Sequence, residues 1–129
     1  WKESDGALQQ RAGELARLVR ATSLAYSDSH WLDRDSLRQL CRAGTSVGAN
    51  VREARFAESR RDFVHKLKVA EKELGEFYYW LGLLCSEPRM FSKDDADVLV
   101  DAADHIRRLL TSILRSCRQS RPTDDGEAP

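Results

Sequence analysis

The chain has 129 residues, enough for one domain with a buried core. Its 21 basic and 21 acidic residues give a net charge of zero, which argues against a globally basic nucleic-acid binder. No apolar run approaches a membrane span or a secretory signal, and three widely spaced cysteines form neither a disulfide framework nor a zinc motif. We expect a cytoplasmic protein without a membrane partner. The first residue is Trp1 rather than Met, so we also expect that the N-terminus has been trimmed.

Four segments with helical apolar spacing follow one another, and no strand-like alternation competes with them. We predict helices over about 5–28, 34–58, 60–86 and 93–119, in a single domain of residues 1–120, with a disordered polar tail over 121–129. Apolar or small residues recur every three or four positions. They are Leu8, Ala12, Leu15, Val19, Thr22 and Tyr26, then Leu37, Leu40, Gly44, Val47, Val51 and Ala54, then Phe63, Leu67, Ala70, Leu74, Phe77, Leu81 and Leu84, and finally Leu99, Ala103, Ile106, Leu110, Ile113 and Cys117. Such seams are typical of helices that pack at shallow angles in an all-α bundle.

The second segment contains an unusual run of small residues, RAGTSVGANVREA, over positions 42–54. Gly44 and Gly48 lie four residues apart and keep the seam spacing. A glycine in a helix interior costs about 0.5–1 kcal/mol relative to alanine, so its presence needs a reason. A phosphate-binding loop would need GxGxxG or GK[ST] after a strand, and neither is present. We therefore predict a thin helix that lets another backbone approach closely, within the bundle or across subunits.

The same run carries a family likeness. CRAGTSVGANVREA, at 41–54, and SRRDFVHKLKVAEKELGEFYYWLGLL, at 59–84, resemble a family of small bacterial four-helix-bundle proteins. That family includes proteins encoded in intervening sequences of large-subunit ribosomal RNA genes. It also includes the accessory variability determinants of diversity-generating retroelements. The resemblance extends over roughly residues 8–118.

The resemblance implies an antiparallel four-helix bundle that assembles as a ring-shaped homopentamer. Members of the retroelement branch bind nucleic acid and a reverse transcriptase, whereas the intervening-sequence branch has no established biochemical activity. This chain departs from the retroelement branch because it is neutral, while those proteins tend to be strongly basic. The motif itself is closer to the intervening-sequence branch.

A basic stripe on the third segment is the main candidate site. Arg61, His65, Lys68 and Lys72 follow the spacing i, i+4, i+7 and i+11, which puts them on one helix face. Such a stripe pairs with phosphates and acts through counterion release. The predicted nucleic-acid-binding residues are Arg52, Arg55, Arg60, Arg61, His65, Lys68 and Lys72. The alternative is a solvated or subunit-facing surface with intrahelical pairs Lys68–Glu71 and Lys72–Glu76.

Other residues are candidates for helix packing or a subunit interface: Gly44, Gly48, Asn50, Tyr78, Tyr79 and Trp80. Tyr78, Tyr79 and Trp80 follow one another, so a single buried seam cannot cover all three side chains. Exposed aromatic side chains favour a subunit interface, and stacking on nucleic-acid bases is the alternative. Segment four carries a second set of cations, Arg107, Arg108, Arg115 and Arg118, behind an acidic start. Acids early and bases late complement a helix dipole, so this pattern needs no ligand.

We predict no catalytic residue, metal site or cofactor. Asp62-x-x-His65 is the only carboxylate-x-x-His pair, too little for a di-metal centre. The main hypothesis is a non-enzymatic oligomeric adaptor that binds nucleic acid, a reverse transcriptase or both. A scaffold that binds only protein partners is the alternative. A third hypothesis is a ribonuclease, because Arg60 and His65 match the R-x4-H motif of the HEPN ribonucleases, which are also helical bundles.

Overall fold

The computed structural model describes residues 6–29, 33–87 and 90–119. These residues form four α-helices and no strand: α1 (Gly6–Ala25), α2 (Arg34–Ala54), α3 (Arg60–Cys85) and α4 (Lys93–Gln119). Consecutive helices pack side by side, and α4 returns to lie against α1. The four-helix bundle predicted from the spacing is thus confirmed for one chain. The predicted tail at 121–129 lies outside the described residues.

The core consists of the predicted seams. Every seam position of α2 and α3 is buried, and most of those on α1 and α4 are buried too. Thr22, Tyr26 and Cys117 are only half-buried, since they lie near helix ends. From the sequence we expect each of the three cysteines at a core or near-core helix position, but Cys85 is exposed.

Side-chain caps begin α2 and α3. Asp33 accepts hydrogen bonds from the Ser36 backbone N–H at 3.0 Å and from the Ser36 hydroxyl at 2.6 Å, and these bonds lower the pKa of the Asp33 carboxyl. The Ser59 hydroxyl accepts from the Asp62 backbone N–H at 3.1 Å. Asp62 in turn accepts from the Glu58 N–H at 3.4 Å, which resembles a capping box. The caps explain why α3 starts as a separate helix.

Two helices end earlier than we predicted. α2 stops at Ala54 rather than near residue 58, because Ala57 turns inward and is buried. The N–H groups of Arg55, Phe56 and Ala57 bond to carbonyls three residues back, which tightens the chain into a turn. α1 stops at Ala25 rather than near residue 28. No described helix is long and apolar enough to cross a membrane.

The small residues of α2 make close contacts within the chain. A Cβ at Gly44 would lie 2.9 Å from Val19 on α1 and 3.2 Å from the Phe77 ring on α3. A Cβ at Gly48 would lie 3.4 Å from the Ala12 carbonyl oxygen of α1. The run is therefore a continuous helix, thinned where it packs between two neighbours. Asn50 bonds to the Ser46 carbonyl of its own helix at 2.9 Å.

Candidate nucleic-acid interface

The outward face of α3 carries the basic stripe. Arg61, His65, Lys68 and Lys72 are all exposed, as expected for positions opposite the buried seam of the helix. At 1.5 Å per residue, the four side chains span about 16 Å along the helix axis. The stripe is therefore a continuous cationic surface rather than part of the core.

Ion pairing leaves much of this stripe accessible. Lys68 approaches Glu71 at 3.8 Å, with both side chains about half exposed, so this pair contributes little. The alternative interpretation also predicted a Lys72–Glu76 pair, and that prediction is wrong. Glu76 instead accepts from Arg42 on α2 at 2.7 Å. Lys72 has no ion pair with any residue that the structure describes.

The turn between α2 and α3 places further cations beside the stripe. Arg52 and Arg55 are exposed at the end of α2, and the Arg52 guanidinium lies 6.0 Å from the ring centre of Phe56. Lys66 reaches back to Glu53 at 3.3 Å and ties the start of α3 to the end of α2. These contacts hold the turn against the first turns of α3, where the stripe begins.

Arg60 stands apart from the other candidates. It is half-buried and lies five positions before His65, which puts the two side chains about 140° apart around the helix. A single chain therefore does not point both residues of the R-x4-H motif at one site. Among the described residues, no group of three or more His, Cys, Asp or Glu could hold a metal ion.

Antiparallel packing joins the cations of α4 to those of α3. The Tyr78 hydroxyl donates to Asp104 at 2.6 Å, and Glu71 lines the same groove as Arg107 and Thr111. This register brings the second half of α4 alongside the first half of α3. Its exposed cations, which spacing alone assigned to a separate patch, thus extend the same end of the bundle. They are Arg107, Arg108, Arg115 and Arg118.

The neutral chain is in fact polarised along the bundle axis. We define the basic half as residues 6–15, 45–72 and 106–119, which hold twelve Arg and Lys against five Asp and Glu. The acidic half, at 16–29, 33–44, 73–87 and 90–105, holds six Arg and Lys against eleven Asp and Glu. Among the described residues, Arg and Lys thus outnumber Asp and Glu by seven at one end and are outnumbered by five at the other, and local potential decides whether a polyanion binds.

The three predicted interface aromatics have different environments. Tyr78 is held between α3 and α4 by Asp104, and burial followed by that hydrogen bond raises the pKa of Tyr78 to about 12. Trp80 is half-buried against the core. Tyr79 is 61% exposed and is the one of the three with a largely accessible ring. A subunit contact through Tyr78 or Trp80 would thus use only the exposed part of each side chain.

Fold and surface together define a class: a small helical-bundle protein whose candidate site is a charged helix face. The chain matches the family model described as 23S rRNA-intervening sequence protein over residues 7–112. It therefore belongs to the 23S rRNA-intervening sequence protein family. The match confirms the predicted intervening-sequence resemblance, while the link to diversity-generating retroelements stays a prediction.

A solved structure supports the same assignment. The chain is similar to a protein with unknown function from the S23 ribosomal protein family of Bacteroides thetaiotaomicron VPI-5482. The two share 33% identity with a TM-score of 0.76, over 87% of this chain and 98% of that chain. No curated protein matches the chain. The agreement extends over nearly the whole bundle, so it concerns the fold as well as the motif.

Proposed function

We propose that this chain is a non-enzymatic adaptor that binds nucleic acid through its basic half. The observation that carries the proposal is the segregation of charge among the described residues, with twelve cations against five acids at one end of the bundle. Cations spread evenly over a surface serve solubility, whereas cations gathered at one end create a positive potential that attracts a polyanion.

The stripe on α3 has dimensions that suit a phosphate backbone. Its length of about 16 Å corresponds to the axial rise of roughly five phosphates of one strand of a duplex. Exposed Lys and Arg side chains can follow such a backbone without reading its sequence. Binding of this kind releases counterions, so affinity should fall steeply as salt rises.

The finer parts of the proposal come from the resemblance. They are assembly as a ring-shaped homopentamer and a reverse transcriptase as protein partner. A ring would repeat the basic half five times, and repetition converts a weak site into a tight one through avidity. Neither part is needed for the charge argument, which concerns one chain.

A charge-reversal experiment tests the proposal. In the test variant, Arg61, Lys68 and Lys72 are changed to Glu. In the matched control, three exposed cations of the acidic half, Arg17, Arg20 and Lys93, are changed to Glu, so that both variants have the same net charge. Light scattering on a sizing column, with a labelled structured RNA at low and moderate salt, reports mass and binding together.

We expect the test variant to lose the RNA-dependent shift and the control to keep it, with both assemblies unchanged in mass. Equal loss in both variants would mean that net charge alone matters. Unchanged binding in the test variant would exclude the stripe as the site.

A protein-binding scaffold is the second candidate. Phe56 is 69% exposed at the α2–α3 turn and offers an apolar anchor to a protein partner, although a single exposed apolar side chain does not by itself require one. If this candidate is correct, neither RNA nor DNA binds even at low salt. A ribonuclease would instead cleave RNA and lose that activity in His65→Ala.

A further inference from the structure

The basic stripe on α3 continues into an exposed aromatic ring. Tyr79 lies seven residues after Lys72, two turns further along the same outward face, and is 61% exposed. The axial separation of the two residues is about 10 Å. A basic stripe that ends in an accessible aromatic ring has the two components that bind single-stranded nucleic acid: cations for the phosphates and a ring for base stacking.

One side of the Tyr79 ring is fixed by the protein. The ring meets Trp80 edge to face, with centres 5.0 Å apart and planes at 78°. Trp80 is itself half-buried against the core, so it provides a firm support. An aromatic pair with this geometry is favourable and limits the freedom of the exposed ring.

The helix surface one turn before the ring is open at Gly75. Side chains in a helix lean toward its N-terminus, so Tyr79 projects over the turn that contains Gly75. A Cβ placed at Gly75 would meet no atom within 4 Å. Glycine is disfavoured in a helix interior, and no contact within the chain requires one here. Gly75 lines the groove that Glu71, Tyr78 and Arg107 also line, so no side chain at position 75 fills the α3 surface between Tyr79 and that groove.

We propose that Tyr79, which lies in the acidic half just beyond the end of the basic stripe, stacks on an unpaired base, so that the stripe and this ring together prefer single-stranded nucleic acid, or an unpaired loop, to a duplex. This inference rests on the proposed function and specifies its substrate class. Phosphates of the strand lie along the stripe, and the base beyond Lys72 lies on the Tyr79 ring. Bases inside a duplex are paired and stacked, so they offer no free face to this ring.

The test compares three labelled ligands by fluorescence anisotropy at low salt: a short oligothymidine strand, the same strand with abasic sites, and a duplex of equal length. Tyr79→Ala should weaken binding of the oligothymidine strand by roughly tenfold, the usual effect of removing one stacking ring. Binding of the abasic strand and the duplex should not change. Tyr79→Phe should bind like the unmodified protein. Leu83→Ala, an apolar change one turn further along α3, is the matched control and should also have no effect.

Three outcomes would overturn the inference. If Tyr79→Ala weakens binding of all three ligands equally, or of none, Tyr79 is not a stacking platform, while nucleic-acid binding itself still stands. If Tyr79→Ala changes the mass of the assembly on a sizing column, the ring belongs to a protein interface. If the unmodified protein binds none of the ligands, the proposed function fails as well.

Discussion

The two halves of the bundle use their charged residues differently. In the acidic half, carboxylates are partners in the fold: Asp95 accepts from the Tyr26 hydroxyl at 2.8 Å, Asp104 accepts from Tyr78 at 2.6 Å, and Asp33 caps α2. In the basic half, several exposed cations have no ion pair with any described residue. They are Lys72, Arg108, Arg115 and Arg118.

This difference shows which charges need an explanation from outside the chain. An acid that accepts a hydrogen bond from a buried or half-buried group contributes to folding, so its presence needs no ligand. Cations crowded at one end repel one another and gain little from the fold. The acidic half is therefore largely accounted for by structure, and the basic half is the better candidate for function.

The largest expected effect on stability is in the acidic half. The Tyr26 hydroxyl donates to Asp95 and accepts from the Ser92 backbone N–H at 2.9 Å. Tyr26→Phe removes both bonds and leaves their partners less satisfied, so it should lower the free energy of unfolding by about 2 kcal/mol. Urea denaturation measures this loss. Tyr79→Phe is the control, and equal stability losses in the two variants would contradict the comparison.

The next effect concerns the middle of the bundle, where tight packing joins the two halves. Gly44→Ala would place a Cβ 2.9 Å from the branched Val19 side chain and against Phe77, so we expect a loss of about 1–2 kcal/mol despite the better helix propensity. At Gly75, where a Cβ has open space, the same change should raise stability by about 0.5–1 kcal/mol. Denaturation of both variants checks the pair. If both gain stability, the contact at Gly44 is not tight.

A pH titration sharpens the comparison further. Burial and Asp104 raise the pKa of Tyr78 from 10.0 to about 12, so the folded state favours the protonated phenol. Its contribution to stability is complete below pH 10 and is lost between pH 10 and about 12. Unfolding measured across this range should show the loss. In Tyr78→Phe, the free energy of unfolding should fall less steeply with pH over this range. Part of the fall should remain, because the pKa of Tyr26 is also raised.

Local patterns in the sequence predicted what depends on nearby residues. The period of three and four placed the seams of α2 and α3 correctly, and the predicted break between residues 58 and 60 coincides with the Ser59 cap. Both features act over one turn, so spacing reveals them. The exposed face of the basic stripe followed from the same periodicity.

Pairings between distant segments were not predictable in this way. Tyr78 finds Asp104 on the next helix, and Glu76 pairs with Arg42 rather than with Lys72. The polarity of the bundle was missed for the same reason. Spacing alone assigned the arginines of α4 to a separate patch with a helix-dipole explanation, and only antiparallel packing brings them beside α3. Contacts of this kind depend on register, which spacing within one helix does not contain.

The smallest expected effect compares a paired cation with an unpaired one. Arg42 donates to Glu73 at 3.2 Å and to Glu76 at 2.7 Å across the α2–α3 contact, but it is 44% exposed. Arg42→Ala should therefore cost only about 0.5–1 kcal/mol of stability. Lys72→Ala should leave stability unchanged, because no described residue pairs with Lys72. Lys72→Ala should nevertheless weaken the salt dependence of nucleic-acid binding: the magnitude of the slope of log affinity against log salt should fall by about one. Arg42→Ala should leave that slope unchanged, because Arg42 belongs to the acidic half. If the two variants gave the reverse pattern, the assignment of structural and functional cations would be wrong.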